Sequence, residues 1–504
     1  MTDLGPGVSA SAVREHLQAL RADDPPVHGG RVLAYVYDAG VEQAVRAGLE
    51  ALAAFGEVNA LDPLAFPSVA RLENDLVGWG LDLMRAPEGS VGTVTSGGTE
   101  SCILAVLASR DRGTVILLAE TAHPAFHKAA HLLGMRTRVL PVDRQSLRLT
   151  GEAVAAALAE EDDVALVVAS APSYAHGVVD EIPAIAAASR AYGVPCHVDA
   201  CIGGIVLAYS RPDGADSRPD GADSRPDGAD SRPDGADSRP DGADSRPDGA
   251  DSCPDGPPDF DLCVPGVTSI AFDLHKYGFA PKGTSLLLFA EPGLRASTYF
   301  TFSRWPGYPV VNTTLQSTKS AGPMAAAWAV ARVLGDDGYR EAVGRARKAT
   351  EAIASVVDDI DGLRVLGRPD ATLLALAADG QPGSGIDPFR LADAMRARGW
   401  ALQPQPSCGS LPRTVHLTVQ PVSWDSVGAL ADDLRSAADE ARLQPWALVG
   451  DDLEAAFADL PDLTGGGPMP ERMAGVHALI DALPPEARDP ALASILGAVF
   501  TPRR

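Results

Sequence analysis

The chain has 504 residues, of which 45% are hydrophobic and 22% are charged, and its formal net charge is −25. This composition is typical of a globular protein, and the acidic balance disfavours nucleic acid as a partner. The sequence shows no apolar run long enough to span a membrane and no signal peptide, so we expect a cytoplasmic protein without an integral membrane segment. Its six cysteines lack the paired spacing of metal ligands, so we expect no metal site.

Residues 1–60 are rich in helical patterns, and we expect them to form an N-terminal helical segment. From about residue 91, short β-rich runs alternate with helical stretches. The runs are 91–95, 114–118, 136–140, 164–170 and 195–198, followed by 268–272 and 284–289. This alternation predicts an α/β fold in which a mostly parallel sheet is covered by helices, within a large domain at 61–325.

A seven-residue unit, RPDGADS, occurs six times in tandem over residues 211–252, and a decayed copy ends at residue 256. The unit has no apolar residue larger than alanine, so it cannot bury enough surface to offset the entropy of ordering. We interpret 211–256 as a disordered insertion in a surface loop. A calcium-binding or adhesive repeat is the alternative, because Asp-Gly pairs recur, although repeats that bind calcium in this way carry an aliphatic residue in each turn.

The last third of the chain predicts two further units. Residues 326–446 combine helical patterns (325–334, 338–358, 388–398 and about 424–442) with short strand patterns (363–366, 372–377 and 415–419), which indicates a small C-terminal α+β domain. Residues 447–504 are expected to form an acidic helical tail, interrupted by glycines and a proline at 465–468. The sequence does not indicate the role of this tail.

The segment SIAFDLHKYGFAPKG (269–283) places Lys276 on a tight turn between two apolar runs. Partial burial disfavours the ammonium form, so we predict a lowered pKa and a nucleophilic amine at Lys276. An amine of this kind can form a Schiff base with pyridoxal phosphate. A surface lysine that packs its stem and exposes its ammonium group is the alternative, and it is the better interpretation of an isolated His-Lys pair.

Three other stretches favour the cofactor. The turn VTSGGTES (94–101) follows a strand and opens a helix, so the backbone around Gly98 and the hydroxyl of Thr99 could hold a phosphate. Asp199 ends an apolar strand, where its carboxylate could pair with a protonated pyridine nitrogen. His123 precedes a proline at a helix start, where its ring could stack on the cofactor. Each of these residues, taken alone, is better interpreted as part of an ordinary turn or helix cap.

The order of these elements fits one site: phosphate turn, stacking histidine, carboxylate, lysine. Asp199 and Lys276 are 77 residues apart, and removing the 42 repeat residues leaves 35. That interval suits two or three secondary-structure elements, so we expect the insertion to leave the site elements in order.

Five segments closely resemble the sphingosine-1-phosphate lyases of the group II decarboxylase family, which depends on pyridoxal phosphate: 95–101, 122–136, 171–180, 197–204 and 264–289. The resemblance implies the type I fold of pyridoxal-phosphate-dependent transferases, which is aspartate-aminotransferase-like, with a seven-stranded, mostly parallel sheet. It also implies a homodimer with active sites at the subunit interface.

The resemblance further implies roles for individual residues. Lys276 would carry the cofactor, Asp199 would contact the pyridine nitrogen, and His123 would stack on the ring. Lys282 resembles a second lysine that handles the substrate phosphate or a proton. The remaining main candidates around the cofactor are Gly98, Thr99 and His275. Ser170 and His176 are lesser candidates.

One position departs from the family pattern. The family usually carries an arginine in a Gly-Ser-Arg-Pro-Gly segment, and here Lys319 stands at that place. Lysine keeps the charge but loses bidentate recognition of phosphate or carboxylate. The resemblance nevertheless implies a lyase that cleaves a phosphorylated 2-amino alcohol to an aldehyde and phosphoethanolamine, with two alternatives. The first is an amino-acid decarboxylase with the same cofactor, and the second is a non-enzymatic scaffold, against which Lys276 and Asp199 argue.

Overall fold

The computed structural model describes residues 7–22, 24–212, 257–380, 385–447 and 472–500. Three helices precede the first strand: α1 (Ala10–Leu20), α2 (Glu42–Ala54) and α3 (Pro67–Leu83). Helix α1 buries none of its residues, whereas α3 packs its buried face against the edge of the main sheet. Among the described residues, no helix has the length and apolar character needed to cross a bilayer.

The large domain is built on a seven-stranded sheet in the order β1-β7-β6-β5-β4-β2-β3. Strand β7 is antiparallel to both of its neighbours, and every other pair is parallel. The prediction of a mostly parallel, seven-stranded sheet is therefore confirmed. The strands are β1 (Val91–Thr95), β2 (Val115–Ala119), β3 (Arg136–Leu140), β4 (Val164–Ser170), β5 (Cys196–Asp199), β6 (Val267–Asp273) and β7 (Ser285–Phe289).

Helices cover both faces of this sheet, which explains why its central strands are continuous apolar runs. Alternate residues of β2 enter two different cores: Ile116 and Leu118 pack in one, and Val115 and Leu117 in the other. The connecting helices are α4 (Gly98–Ser109), α5 (Ala125–Leu133), α6 (Gly151–Glu160), α7 (Ile182–Ala191), α8 (Gly204–Tyr209) and α9 (Pro292–Ala296). A two-stranded hairpin, β8 (Phe300–Phe302) and β9 (Val310–Asn312), follows α9.

A long helix, α10 (Gly322–Asp358), leads from the large domain to a smaller α+β unit. Gly335 interrupts α10 with a φ of +59°, which accounts for the two separate helical patterns in the sequence. The smaller unit has a four-stranded antiparallel sheet in the order β10-β11-β13-β12, with a core of its own. Its elements are β10 (Leu363–Val365), β11 (Leu373–Ala378), α11 (Pro388–Ala397), β12 (Gln403–Gln405), β13 (Thr414–Thr418) and α12 (Ser423–Arg442).

Two helices of the tail are described, α13 (Ala474–Ala482) and α14 (Pro485–Val499). Asp393 of α11 accepts hydrogen bonds from the backbone of Met473 and Ala474 at 2.8 and 2.9 Å, which fixes the start of α13. Asp481 of α13 accepts two hydrogen bonds from Ser407 at 2.6 Å each and pairs with Arg413 at 2.8 Å. The tail is therefore docked on the smaller unit.

Most of the repeat insertion, 213–256, lies outside the described residues, but its first two residues and the segment that follows it from residue 257 are described. Arg211, at the start of the first repeat, pairs with Asp261, whose carboxylate is fully buried. Arg85 pairs with the same carboxylate at 2.9 Å and with Asp259 at 2.8 Å. The start of the insertion and the segment that follows it are thus tied together at one ion-pair cluster around the buried carboxylate of Asp261.

Candidate active site

The site lies where three parallel strands end. Ser170, Asp199 and Asp273 are the last residues of β4, β5 and β6, and all three are buried. The register aligns Ser170 with Asp199, and Asp199 with Ala271, two residues before Asp273. Open α/β sheets bind ligands at the carboxyl ends of their strands, so this edge is where a site is expected.

Lys276 lies on the turn that follows β6, and its side chain is 22% exposed. Its Nζ atom is 2.8 Å from Oδ2 of Asp273. Burial lowers the pKa of Lys276, but the charge of Asp273 outweighs it, so the pKa lies above its ordinary value. The prediction of a lowered pKa is therefore wrong, because the sequence analysis did not include this carboxylate.

Asp273 is the principal residue that sequence reasoning missed. Its carboxylate accepts a hydrogen bond from the hydroxyl of Ser285 at 2.6 Å and lies 3.5 Å from Nε2 of His275. Burial raises the pKa of Asp273, yet Lys276, His275 and these hydrogen bonds outweigh that effect and hold it below its usual value. The sequence signal that could have identified Asp273 is an aspartate at the end of a predicted strand, three residues before the lysine.

The predicted phosphate turn joins β1 to α4, with Gly98 as the first residue of the helix. A Cβ atom at Gly98 would lie 2.8 Å from Sγ of Cys201 and 2.9 Å from Oδ1 of Asp273, so only glycine fits there. His275 closes the other side, because its Cε1 would be 3.6 Å from a Cβ atom at Gly97. The turn therefore lies at a helix N-terminus between Asp273 and His275, and the backbone N–H groups of such a terminus suit a phosphate group.

Asp199 and His123 occupy different environments. Asp199 is 8% exposed, and its Oδ1 accepts a hydrogen bond from the backbone of Cys201 at 3.1 Å. His123 is exposed and follows β2; its Nδ1 accepts a hydrogen bond from the backbone of Ala125 at 3.2 Å. The structure thus buries the carboxylate of Asp199 at the end of β5 and leaves the imidazole of His123 exposed, where it could contact a planar group. Thr99 lies in the first turn of α4.

Lys282 lies near Lys276 at the rim of the site. Its Nζ donates to the backbone carbonyls of Tyr35 at 3.1 Å and His275 at 3.3 Å, and it lies 4.7 Å from the centre of the Tyr37 ring. Burial and the charge of Lys276 lower the pKa of Lys282. Tyr35 has a φ of +66°, a strained conformation of the kind found at functional sites. The sequence contained no signal for either tyrosine.

Four further side chains, two from the large domain and two from the smaller unit, lie where these two parts of the chain meet. The ring of Tyr174 stacks on His416 at 4.3 Å, and its hydroxyl donates to the amide oxygen of Gln403. Burial lowers the pKa of His176 to about 4, and its Nδ1 has no hydrogen-bond partner among the described residues. His176 is therefore a neutral, buried imidazole rather than a cation.

Lys319 lies on the loop that connects β9 to α10. The backbone N–H of Leu315 in this loop donates to the buried carboxylate of Glu100 at 2.8 Å, directly beside the phosphate turn. Nζ of Lys319 donates to the hydroxyl of Thr314 at 3.1 Å. The loop that carries the departure from the family pattern is thus held against the candidate site.

Comparisons with known proteins agree with this geometry. The family described as "Pyridoxal-dependent decarboxylase conserved domain" matches residues 47–225. A sphingosine-1-phosphate lyase of Oryza sativa is 30% identical over 481 residues, which are 92% of this chain and 78% of the relative. The chain therefore belongs to the pyridoxal-dependent decarboxylase family, in the group of the sphingosine-1-phosphate lyases.

Solved structures share the fold. A sphingosine-1-phosphate lyase of Burkholderia pseudomallei is 27% identical, with a TM-score of 0.73 over 87% of this chain and 92% of the other. A glutamate decarboxylase of Lactobacillus brevis, with 19% identity and a TM-score of 0.69 over 88% of this chain and 95% of the other, shares the fold alone. The chain is thus a pyridoxal-phosphate-dependent lyase with the type I fold.

The residues present fit this cofactor. At Gly98 a Cβ atom would lie within 2.9 Å of Cys201 and Asp273, so the turn must present bare backbone there, and Asp273 in turn contacts the amine of Lys276. A buried carboxylate, Asp199, ends the neighbouring strand. Together they supply a phosphate turn, an amine and an acid at one edge of the sheet, which are the groups that pyridoxal phosphate requires.

A second family, described as "Pyridoxal-dependent enzyme, C-terminal putative HTH domain", matches residues 429–498. That stretch contains thirteen Asp and Glu residues, four Arg residues and no Lys. Arg488, on α14, uses its guanidinium within the protein, on the carbonyls of Ser407, Asp481 and Leu483. A segment with this charge is poor in the cations that contact nucleic-acid phosphates.

Proposed function

We propose that this protein cleaves the Cα–Cβ bond of a phosphorylated 2-amino alcohol, such as a sphingosine-1-phosphate-like long-chain base, and releases an aldehyde and phosphoethanolamine. The observation that carries the proposal is the convergence of Lys276, Asp273 and Lys282 at the strand edge that also holds Asp199. The similarity to lyases of this name over most of the chain supports it.

Each residue has a defined task in this proposal. When bound, pyridoxal phosphate accepts the electron pair of the breaking bond. Asp199 holds the proton on the pyridine nitrogen, and His123 covers the ring. Gly98, Thr99 and His275 hold the phosphate, with Ser170 and His176 lining the site nearby. Lys276 attaches the cofactor, and Asp273 orients its amine and keeps a proton within reach.

Lys282 is proposed to recognise the substrate phosphate or to return a proton to the product. It is an ammonium group on a flexible stem, and no carboxylate among the described residues forms an ion pair with it. A cation without an acidic partner, close to Lys276, is available to an anionic substrate. Its lowered pKa also makes it a better proton donor than an exposed lysine.

A decarboxylase is the second candidate, and Lys319 is the observation that favours it. This lysine stands where the family carries an arginine, and a single ammonium group cannot form the paired hydrogen bonds of a guanidinium. Its attachment to Thr314 keeps it on a loop beside the phosphate turn. The exchange of arginine for lysine could therefore change substrate recognition at this loop without changing the residues that hold the cofactor.

The test is product analysis of the cofactor-loaded protein with a phosphorylated long-chain base and, in parallel, with a panel of amino acids. We expect a long-chain aldehyde and phosphoethanolamine from the first and no carbon dioxide from the second. Lys282→Met should reduce kcat/KM at least about tenfold for the phosphorylated base, because one charged contact is worth roughly 1.5–3 kcal/mol. Release of carbon dioxide without aldehyde would establish the decarboxylase instead.

We also propose that the protein is a homodimer whose interface covers the β8–β9 hairpin. Several large apolar side chains of this hairpin are exposed, and contiguous apolar patches mark interaction sites. Trp305→Asp should shift the mass in solution, measured by light scattering, towards the monomer. Trp424→Asp is the control, since Trp424 is exposed to a similar extent on α12, 41% against 44%. An unchanged mass in both variants would contradict this interface.

For location, we propose the cytoplasm. The buried thiols of Cys102, Cys196 and Cys201 are free, which suits a reducing compartment. Fractionation of cells that express the full chain would test this, and recovery in an extracellular or membrane fraction would contradict it.

A further inference from the structure

Two buried thiols that the proposed reaction does not use lie next to Asp199. Cys102 is in the first turns of α4 and is 1% exposed, whereas Cys201 follows β5 and is 8% exposed. Their Sγ atoms and a carboxylate oxygen of Asp199 all lie within 4.8 Å of one another. Cys102 is about 100 residues away from Asp199 and Cys201 in the sequence, so no spacing pattern could have shown that all three meet.

The donor set and its size suit a thiophilic divalent cation. Two thiolates and one carboxylate are zinc ligands, and tetrahedral zinc with bonds of about 2.0–2.3 Å holds its donors roughly 3.5–3.8 Å apart. Donors that already lie within 4.8 Å need to move by only about 1 Å. The turn at Gly98 adjoins this cluster, because a Cβ atom there would lie 2.8 Å from Sγ of Cys201.

We propose that Cys102, Cys201 and Asp199 bind Zn²⁺ when the cofactor is absent, and that Zn²⁺ and pyridoxal phosphate exclude each other. The exclusion rests on the proposed function, in which Asp199 faces the pyridine nitrogen. Zn²⁺ binds the two sulfurs and the carboxylate, and the two thiol protons pass to solvent without any redox change. A water molecule would complete the tetrahedral coordination of the metal.

A disulfide between the two cysteines is a different outcome of the same proximity. It would require the sulfurs to approach to about 2.05 Å, and it would make no use of Asp199. The metal site uses all three groups, and the carboxylate offsets part of the charge of the cation. The geometry therefore favours the metal, and a count of free thiols distinguishes the two.

The first experiment measures zinc binding by the full-length protein after the cofactor has been removed. Zn²⁺ is titrated against a chromophoric chelator, and we expect one ion per chain. Cys102→Ser and Cys201→Ser should each weaken the affinity at least about tenfold, because each removes one of three ligands. Cys196→Ser is the matched control: Cys196 is a buried cysteine on β5 outside the cluster, and this variant should bind as wild type.

Circular dichroism and thermal unfolding confirm that each variant is folded, and Cys102→Ala replaces any serine variant that is not. Zinc binding that is the same in wild type and in both cluster variants would overturn the proposal. So would a wild-type protein in which the two thiols are already lost to a disulfide when free thiols are counted under denaturing conditions.

The second experiment adds pyridoxal phosphate to the zinc-loaded protein and follows the visible absorbance of the lysine-bound cofactor. We expect the band to be suppressed, to appear when a chelator removes zinc, and to be insensitive to zinc in Cys102→Ser. A band that forms equally with and without zinc would overturn the exclusion. A protein that takes up no cofactor even without zinc would instead contradict the proposed function, while the zinc titration would still stand by itself.

Discussion

Asp273 determines the charge state of the lysine at the centre of the site. Its carboxylate lies 2.8 Å from Nζ of Lys276 in a buried environment, where it raises the pKa of the amine and is itself held ionised. In the proposed reaction, a protonated Lys276 that is not attached to the cofactor could donate a proton. The aspartate therefore connects cofactor attachment with proton supply.

We predict that Asp273→Asn shifts cofactor attachment to lower pH. In the variant, burial would act on Lys276 without an opposing charge, so the pKa of the amine would fall by at least about one unit. The measurement is the pH midpoint at which the visible band appears when the cofactor is added. An unchanged midpoint in a folded variant would show that Asp273 does not set the charge state of Lys276.

Sequence reasoning at this scale identified the residues that belong to motifs and missed those that reach the site through folding. Lys276, Asp199 and Gly98 follow strands or open a helix, so local pattern located them. Tyr37 contacts Lys282 from the N-terminal segment, and no local pattern indicates such a contact. Asp273 is part of the lysine motif, but its effect on the pKa depends on burial, which the pattern does not supply.

At the scale of elements, the apolar runs predicted the strands of the main sheet well, because those strands are buried on both faces and their composition is distinctive. The short strands β8, β9 and β12 were not predicted. Each has three residues, and none of their residues is buried. A strand of that length leaves no apolar period in the sequence, and its pairing is decided by the surrounding fold.

The boundaries of the repeat insertion can be tested separately from its length. Deleting residues 218–252 removes five repeat units and retains Arg211 with its contacts to Asp261 and Leu83. We predict an unfolding free energy and an activity close to those of the full chain, because loop length contributes little to closure entropy. Chemical denaturation and product formation measure the two properties.

Arg211→Ala in the full-length chain provides the contrast. It leaves Arg85 as the remaining cation on the buried carboxylate, and should cost roughly 1–3 kcal/mol of unfolding free energy. A deletion variant that is folded but inactive would contradict the view that the repeats are inert. A deletion that destabilises the chain more than Arg211→Ala would contradict the ion-pair account of how the ends are held.

At the scale of the whole molecule, buried histidines link stability to pH. Burial lowers the pKa of His197 to about 4, while the unfolded value is about 6.5. Between these values the unfolded chain binds more protons, so the contribution of His197 to stability falls as the pH decreases from about 6.5 to 4. Burial raises the pKa of Asp180 to about 7, which has the opposite effect on stability across this whole range.

The contribution of His197 to stability is therefore measured as the difference between the pH profiles of wild type and a His197 variant. Urea unfolding of wild type and His197→Asn should show a steeper loss of stability between pH 7 and pH 5 in wild type, by an amount of order 2 kcal/mol. Asparagine can retain the hydrogen bond that joins Nδ1 of His197 to the hydroxyl of Ser269. Parallel pH profiles for the two proteins would contradict a neutral, buried His197.

The central claim is that the amine of Lys276 carries pyridoxal phosphate, and borohydride reduction followed by peptide mass spectrometry tests it most directly. The purified chain is saturated with the cofactor, reduced and digested. We predict loss of the visible band and a single reduced pyridoxal label on Lys276. The label should be absent from Lys276→Ala. It should be retained in the control variant Lys348→Ala, in which an exposed lysine of α10 is replaced. A folded protein that takes up no cofactor, or a label on another lysine, would contradict the account.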